Sequence, residues 1–83
     1  MTPFVVIRCS DLEKSAAFYS SLGLTLTPEK HGNGPSHFSI ETSGVVIELY
    51  PANGKGATTN LMIGIDAVQG KSIDPDGNIL LGQ

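Results

Sequence analysis

The alternation of apolar and polar positions changes period several times along the chain, and each change marks an element. Phe4 to Cys9 is a β-branched run with one interior charge, Arg8, and predicts a strand. Ser10 and Glu13 follow at capping-box spacing, so Ser10 is expected to cap a helix. Leu12, Ala16, Tyr19 and Leu22 recur at helical intervals and form one apolar stripe, and Gly23 supplies the left-handed residue that closes it. Leu24-Thr25-Leu26-Thr27 alternates as a short strand, which Pro28 is expected to end, and residues 29–35 form a turn rich in glycine. His37-Phe38-Ser39-Ile40-Glu41 is a second alternating strand. Thr42-Ser43-Gly44 turns it tightly into Val45-Val46-Ile47-Glu48-Leu49-Tyr50, the strongest strand of all.

The remaining chain is sparser. Residues 51–59 read as a Gly-rich linker, 61–66 as a strand, 71–73 as a strand stub, and 79–81 as a last strand reached through the Asp74-Pro75-Asp76-Gly77-Asn78 turn. Only residues 67–73 stand between the 61–66 strand and the Asp74–Asn78 turn, too few for a helix of three turns, which needs about 11 residues. Period-2 geometry also sorts the faces. The helix stripe is expected to cover Val5, Ile7 and Cys9, with Ile47 and Leu49 beside them. Phe4, Val6 and Arg8, with Val46, Glu48 and Tyr50, then look the other way, joined by Asn60, Met62 and Gly64 from the second half.

A strand running straight into a helix that ends Phe18-Tyr19-Ser20-Ser21-Leu22-Gly23-Leu24 resembles the opening of the glyoxalase/bleomycin-resistance/extradiol-dioxygenase superfamily, the vicinal oxygen chelate fold. The resemblance implies an α+β fold in one domain. Residues 1–50 would be a complete βαβββ module, 51–59 a linker, and 60–83 a truncated second module without its helix, giving a mixed sheet curved around a cleft. In metal-dependent relatives four positions in the cleft supply the ligands. They fall here on Phe4, Glu48, Asn60 (or Thr59) and Leu81, so one carboxylate survives of the four. At least three protein ligands are needed for such a site, and neither a metal nor another cofactor is expected. In glutathione-using relatives an arginine four residues after the first of these positions contacts the substrate carboxylate, and Arg8 has that spacing from Phe4. A bidentate carboxylate contact suits arginine. An internal ion pair with Glu48 is the competing use of the same side chain.

Composition narrows the function. The chain has 83 residues, is 40% hydrophobic and only 16% charged, and carries a formal net charge of −3. Five scattered lysines and arginines make no phosphate-tracking stripe, so nucleic acid is excluded as a partner. Cys9 is the single cysteine and allows no internal disulfide; no apolar run is long enough to span a membrane, and a cytoplasmic setting is the default. Leu61, Ile63 and Ile65 have no second helix above them, so they and the sheet edge are expected to form an association surface and the protein a homodimer.

Other motifs carry less. His31 and His37 with Glu48 are a legal two-histidine, one-carboxylate set, against a surface His31 and a His37 hydrogen-bonded at a strand end. Cys9 reads as a small buried hydrophobe. The Asp74–Asn78 stretch lacks the glycine and distal glutamate of a calcium loop, and Gly54-Lys55-Gly56 lacks the first glycine and the helix of a phosphate loop. The leading expectation is a metal-free small-molecule-binding protein. Its organic ligand would lie in a concave sheet or dimer-interface cleft lined by Phe4, Arg8, His37, Glu48, Tyr50, Asn60 and Met62. The alternatives are a metal-dependent lyase or dioxygenase-type enzyme rebuilt on Glu48 and His37, and a structural remnant with no ligand.

Overall fold

The computed structural model describes residues 2–82. The fold is α+β, with strands β1 (Phe4–Cys9), β2 (Thr27–Glu29), β3 (His37–Thr42), β4 (Val45–Pro51), β5 (Met62–Gly64), β6 (Lys71–Ile73) and β7 (Ile79–Leu81) and one helix, α1 (Leu12–Ser21), among the described residues. Strands β1 to β4 make a four-stranded sheet in the order β1-β4-β3-β2, in which β1 runs parallel to β4 and the other pairs are antiparallel. The first 51 residues thus complete a βαβββ module. Strands β5, β7 and β6 form a separate three-stranded sheet whose pairings, parallel then antiparallel, repeat those of β1, β4 and β3. The second sheet is the first one short of a strand and a helix.

The helix begins one residue later than the capping-box spacing implies. Asp11 is the N-cap, and its Oδ1 accepts from the Lys14 amide at 3.1 Å. Ser10 is engaged elsewhere: its hydroxyl donates to Asp76 Oδ1 at 2.6 Å and its amide to Asp76 Oδ2 at 3.1 Å. A carboxylate at the cap is favoured by the helix dipole, so Asp11 replaces Ser10 at no loss to the helix. Glu13 becomes an acidic residue of the first turn, not a partner in a capping box. At the other end Gly23 has φ +91, the left-handed closure its position predicts.

Strand β2 also differs from expectation. Pro28 does not end a strand at residues 24–27 but sits inside β2, paired with Phe38. The pairing is allowed because β2 is the outer strand of its sheet, where a missing N–H faces no partner. Leu24 is buried and Leu26 packs on the core, so their alternation marks core contacts made without a ladder. The β3–β4 connection is a two-residue hairpin with positive φ at Ser43 and Gly44, the backbone a type I′ turn requires.

One core serves both sheets. Ile7, Cys9, Ile40, Ile47 and Leu49 from the first sheet, Tyr19 from α1, and Ile65, Val68 and Leu80 from the second half form a single buried cluster. Leu61 and Ile63 pack against it. The open association patch expected of Leu61, Ile63, Ile65 and Leu80 does not form among the described residues, because Ile65 and Leu80 are buried in the common cluster and Leu61 and Ile63 pack against it. A polar network fixes the arrangement. Asp74, buried, accepts from the Asp76 and Asn78 amides at 2.9 Å, from Asn78 Nδ2 at 3.0 Å and from the Tyr19 hydroxyl at 2.7 Å. Asn78 Nδ2 also donates to the Thr58 carbonyl, while Asn78 Oδ1 accepts from the Leu61 amide. Thr58 in turn lies against β1, its Oγ1 accepting from the Arg8 amide at 2.9 Å and its own amide donating to the Arg8 carbonyl at 2.8 Å.

The second sheet ends in a close approach. The Gly82 amide donates to the Gly70 carbonyl at 2.6 Å, and a Cβ on Gly82 would drive into the Val68 carbonyl. Because the obstacle is backbone, Gly82→Ala is expected to displace the end of β7 and cost about 1–3 kcal/mol in denaturant melts. Wild-type stability in that variant would show that the last residues yield freely.

Candidate functional site

Strand register lines up a polar row across the face of the four-stranded sheet that α1 leaves uncovered. Arg8 on β1 pairs with Tyr50 on β4, the β3–β4 register places His37 opposite Tyr50, and His37 pairs with Glu29 on β2. The next row holds Val6, Glu48, Ser39 and Thr27, and the third Phe4, Val46 and Glu41. The two faces of β1 and β4 therefore divide as the period predicts. Val5, Ile7, Cys9, Ile47 and Leu49 lie on the core side, and Arg8, Glu48 and Tyr50 lie on the open side.

In the polar row, the rings of His37 and Tyr50 are stacked with centroids 4.1 Å apart and 8° between their planes. His37 Nδ1 lies 3.2 Å from the Pro35 carbonyl, and His37 Nε2 lies 3.3 Å from Glu29 Oε1. Burial pushes the Tyr50 hydroxyl up from the ordinary tyrosine value, and the Glu48 and Glu29 charges push it further, so it remains a hydrogen-bond donor well above neutral pH. At the Arg8 end the row opens into a groove of about 240 Å³ lined by Arg8, Pro35, Tyr50, Asn53 and Lys55 among others. Among the described residues the Arg8 guanidinium has no ion pair or side-chain hydrogen bond. The internal pair with Glu48 does not form. A larger, shallow depression at the β3–β4 hairpin, lined by Thr2 and residues 41–46, contains none of the anticipated residues.

The anticipated site is thus brought together in part. Arg8, His37, Glu48 and Tyr50 share the open face, and Phe4 stands two rows from Arg8 with 56% of its surface exposed. Met62, on β5, and Asn60, just before it, belong to the second half and not to this sheet; Met62 is 60% exposed and Asn60 has φ +60. Lys55 and Asn53 were not anticipated, because the 51–59 segment reads as a linker and its lysine only as a failed phosphate loop. Their signal was the Asn53-Gly54 turn, which folds the segment back beside the end of β4, where φ is positive at both residues. Glu29 was missed because the strand carrying it was expected to stop at Pro28.

A family model for the Glyoxalase/Bleomycin resistance protein/Dioxygenase superfamily matches residues 3–69, from the start of β1 to beyond β5. The chain belongs to this superfamily. No curated protein and no solved structure gives a significant match. Membership makes the four metal-ligand positions of the glyoxalase superfamily testable against the geometry, and they do not fit a metal. Phe4 and Leu81 carry no donor atom, and Asn60 lies outside the sheet that holds Glu48. Nor is Glu48 the carboxylate that meets His37. That place is taken by Glu29, the cross-strand neighbour of His37 on β2. Among the described residues no helix is long and apolar enough to cross a membrane.

Proposed function

We propose that this member of the glyoxalase superfamily binds a small organic anion, its carboxylate held by Arg8, without a metal at the four family positions. The observation that carries the reading is the Arg8 guanidinium, half-buried and without an ion pair among the described residues, in a groove also lined by Lys55 and Tyr50. Two cations beside Tyr50 and Asn53, with Pro35, Pro51 and Ala52 forming the rest of the wall, favour a carboxylate with a flat or apolar body. A groove of about 240 Å³ is smaller than the 300–1,000 Å³ typical of small-molecule sites. A second copy of the chain laid over the open face would enlarge it and cover Phe4, which is 56% exposed. The homodimer is part of the proposal for that reason.

Native mass spectrometry of the purified chain with a library of aromatic and aliphatic carboxylates tests both parts. The expected result is a dimer retaining an acidic ligand, with affinity reduced at least tenfold in Arg8→Ala, the loss of about 1.5–3 kcal/mol typical of a charged hydrogen-bonded contact. Arg8→Lys is expected to restore only part of it, because the bidentate geometry is lost. Retention of the same acids by Arg8→Ala would remove Arg8 from the site. A monomer that binds none of them would favour the structural-remnant alternative.

A further inference from the structure

We propose a second site on the β2–β3 hairpin: a divalent transition-metal site formed by Glu29, His31 and His37, three residues that the four family positions do not include. Their ligand atoms lie within 4.8 Å of one another. His37 Nε2 is 3.3 Å from Glu29 Oε1, and His31 Nε2 is 3.8 Å from the same oxygen. Ligands held at zinc distances of about 2.0–2.1 Å in a tetrahedron stand about 3.3–3.4 Å apart. The two separations from Glu29 are close to that spacing, and the two imidazole nitrogens lie within 4.8 Å of each other.

The chemistry of His37 supports the site independently. Its side chain is buried, with 1% of its surface exposed, and Nε2 has no hydrogen-bond partner. The Pro35 carbonyl can only accept, so the hydrogen bond at 3.2 Å places a proton on Nδ1. Nε2 is then a lone pair 3.3 Å from a carboxylate oxygen, and two acceptors with no proton between them form no hydrogen bond. Two acceptors held this close without a donor are the relation that two ligands sharing one cation have. A carbonyl holding the far nitrogen of a metal-binding histidine is the usual means of fixing the ring's tautomer and direction. Stacking on Tyr50 fixes its plane.

Local sequence supplies the other two ligands. Glu29 is the cross-strand partner of His37, and the turn after β2 returns His31 to the same end of the sheet. That turn is closed by the Gly34 amide donating to the His31 carbonyl at 2.9 Å and requires the positive φ of Gly32. The His31 ring comes to rest 5.1 Å from that of His37. Two imidazoles and one carboxylate suit zinc, cobalt or nickel over calcium or magnesium, and three protein ligands leave room for water or an exogenous ligand. This site shares no residue with the Arg8 groove, so either stands if the other falls.

The test uses untagged full-length protein, stripped with chelator and titrated with Co²⁺ and Zn²⁺ alone. One equivalent of Co²⁺ is expected to bind with the strong visible absorption of a four-coordinate site, and Zn²⁺ to displace it. Glu29→Gln and His31→Ala, both at accessible side chains and so without effect on folding by circular dichroism, are each expected to weaken binding more than about tenfold. Failure to take up a stoichiometric ion would overturn the site. So would uptake that both variants leave unchanged, which would place the metal elsewhere.

Discussion

Asp74→Ala is expected to lower the melting temperature by more than about 10 °C, the largest effect of any polar substitution in the chain. The carboxylate is buried and accepts four hydrogen bonds, two from backbone amides of its own turn and two from the Asn78 and Tyr19 side chains. Alanine leaves those donors without an acceptor in a place water does not reach. Bonds to a charged group contribute about 1.5–3 kcal/mol each, but they are made as a network, so a total near ~3–4 kcal/mol is the reasonable sum. A chain of this length has roughly 4–12 kcal/mol of stability in all. Tyr19→Phe removes a single donor and is expected to cost about 1–2 kcal/mol. Asp76→Ala gives the comparison, since its bonds to Ser10 are exposed. Equal melting temperatures for Asp74→Ala and Asp76→Ala would show that the buried network does not hold the two sheets together.

The same contact predicts a loss of stability in alkali. Burial pushes the Tyr19 hydroxyl far above the ordinary tyrosine range, and its hydrogen bond to Asp74 and the Asp74 charge push it in the same direction. The folded chain therefore keeps a proton that the unfolded chain gives up near pH 10. Stability from this group is whole below about pH 10 and falls above it by about 1.4 kcal/mol for each further pH unit. Burial also raises the Cys9 thiol, with the Asp76 and Asp74 charges adding to it and the Ser15 hydroxyl opposing, so a shallower loss begins nearer the thiol's ordinary value of about 8.5. Urea unfolding measured between pH 8 and pH 11.5 is expected to steepen above about pH 10. Tyr19→Phe keeps both Cys9 and Tyr50, so the difference between the two curves belongs to Tyr19. Parallel curves for wild type and Tyr19→Phe would contradict the assignment.

Periodicity identified the elements where one face is buried and the other is not. The strand at 4–9, the helix stripe through Ala16 and Tyr19, and the faces of β1 and β4 follow directly from spacing, because a one-residue slip would have exposed Ile7, Ile47 and Leu49 together. Errors arose where a residue had two local uses and a distant partner chose between them. Ser10 is a good helix cap, but Asp76, 66 residues away, takes it. Pro28 ends strands in the middle of a sheet and is harmless on an outer one, and strand order is not written in local sequence. Leu61, Ile63, Ile65 and Leu80 looked uncovered because no second helix follows them, yet they pack into the core of the first sheet. The site was legible in the same measure. Arg8, Glu48 and Tyr50 share a face by period alone, whereas Glu29 and Lys55 reach it only through the pairing of β2 with β3 and the return of the 51–59 segment.

A helix tied to the second half through Tyr19 also constrains the order in which the fold can be completed. Tyr19 and Asp74 are 55 residues apart, and the helix surface between them stays bare until the last turn has been made. During synthesis the first module would leave the ribosome with its hydrophobic stripe open to whatever else is nearby. Contacts of such long sequence separation form late. The second half thus works as a clasp on the first module, and a clasp so distant in sequence from what it holds closes late.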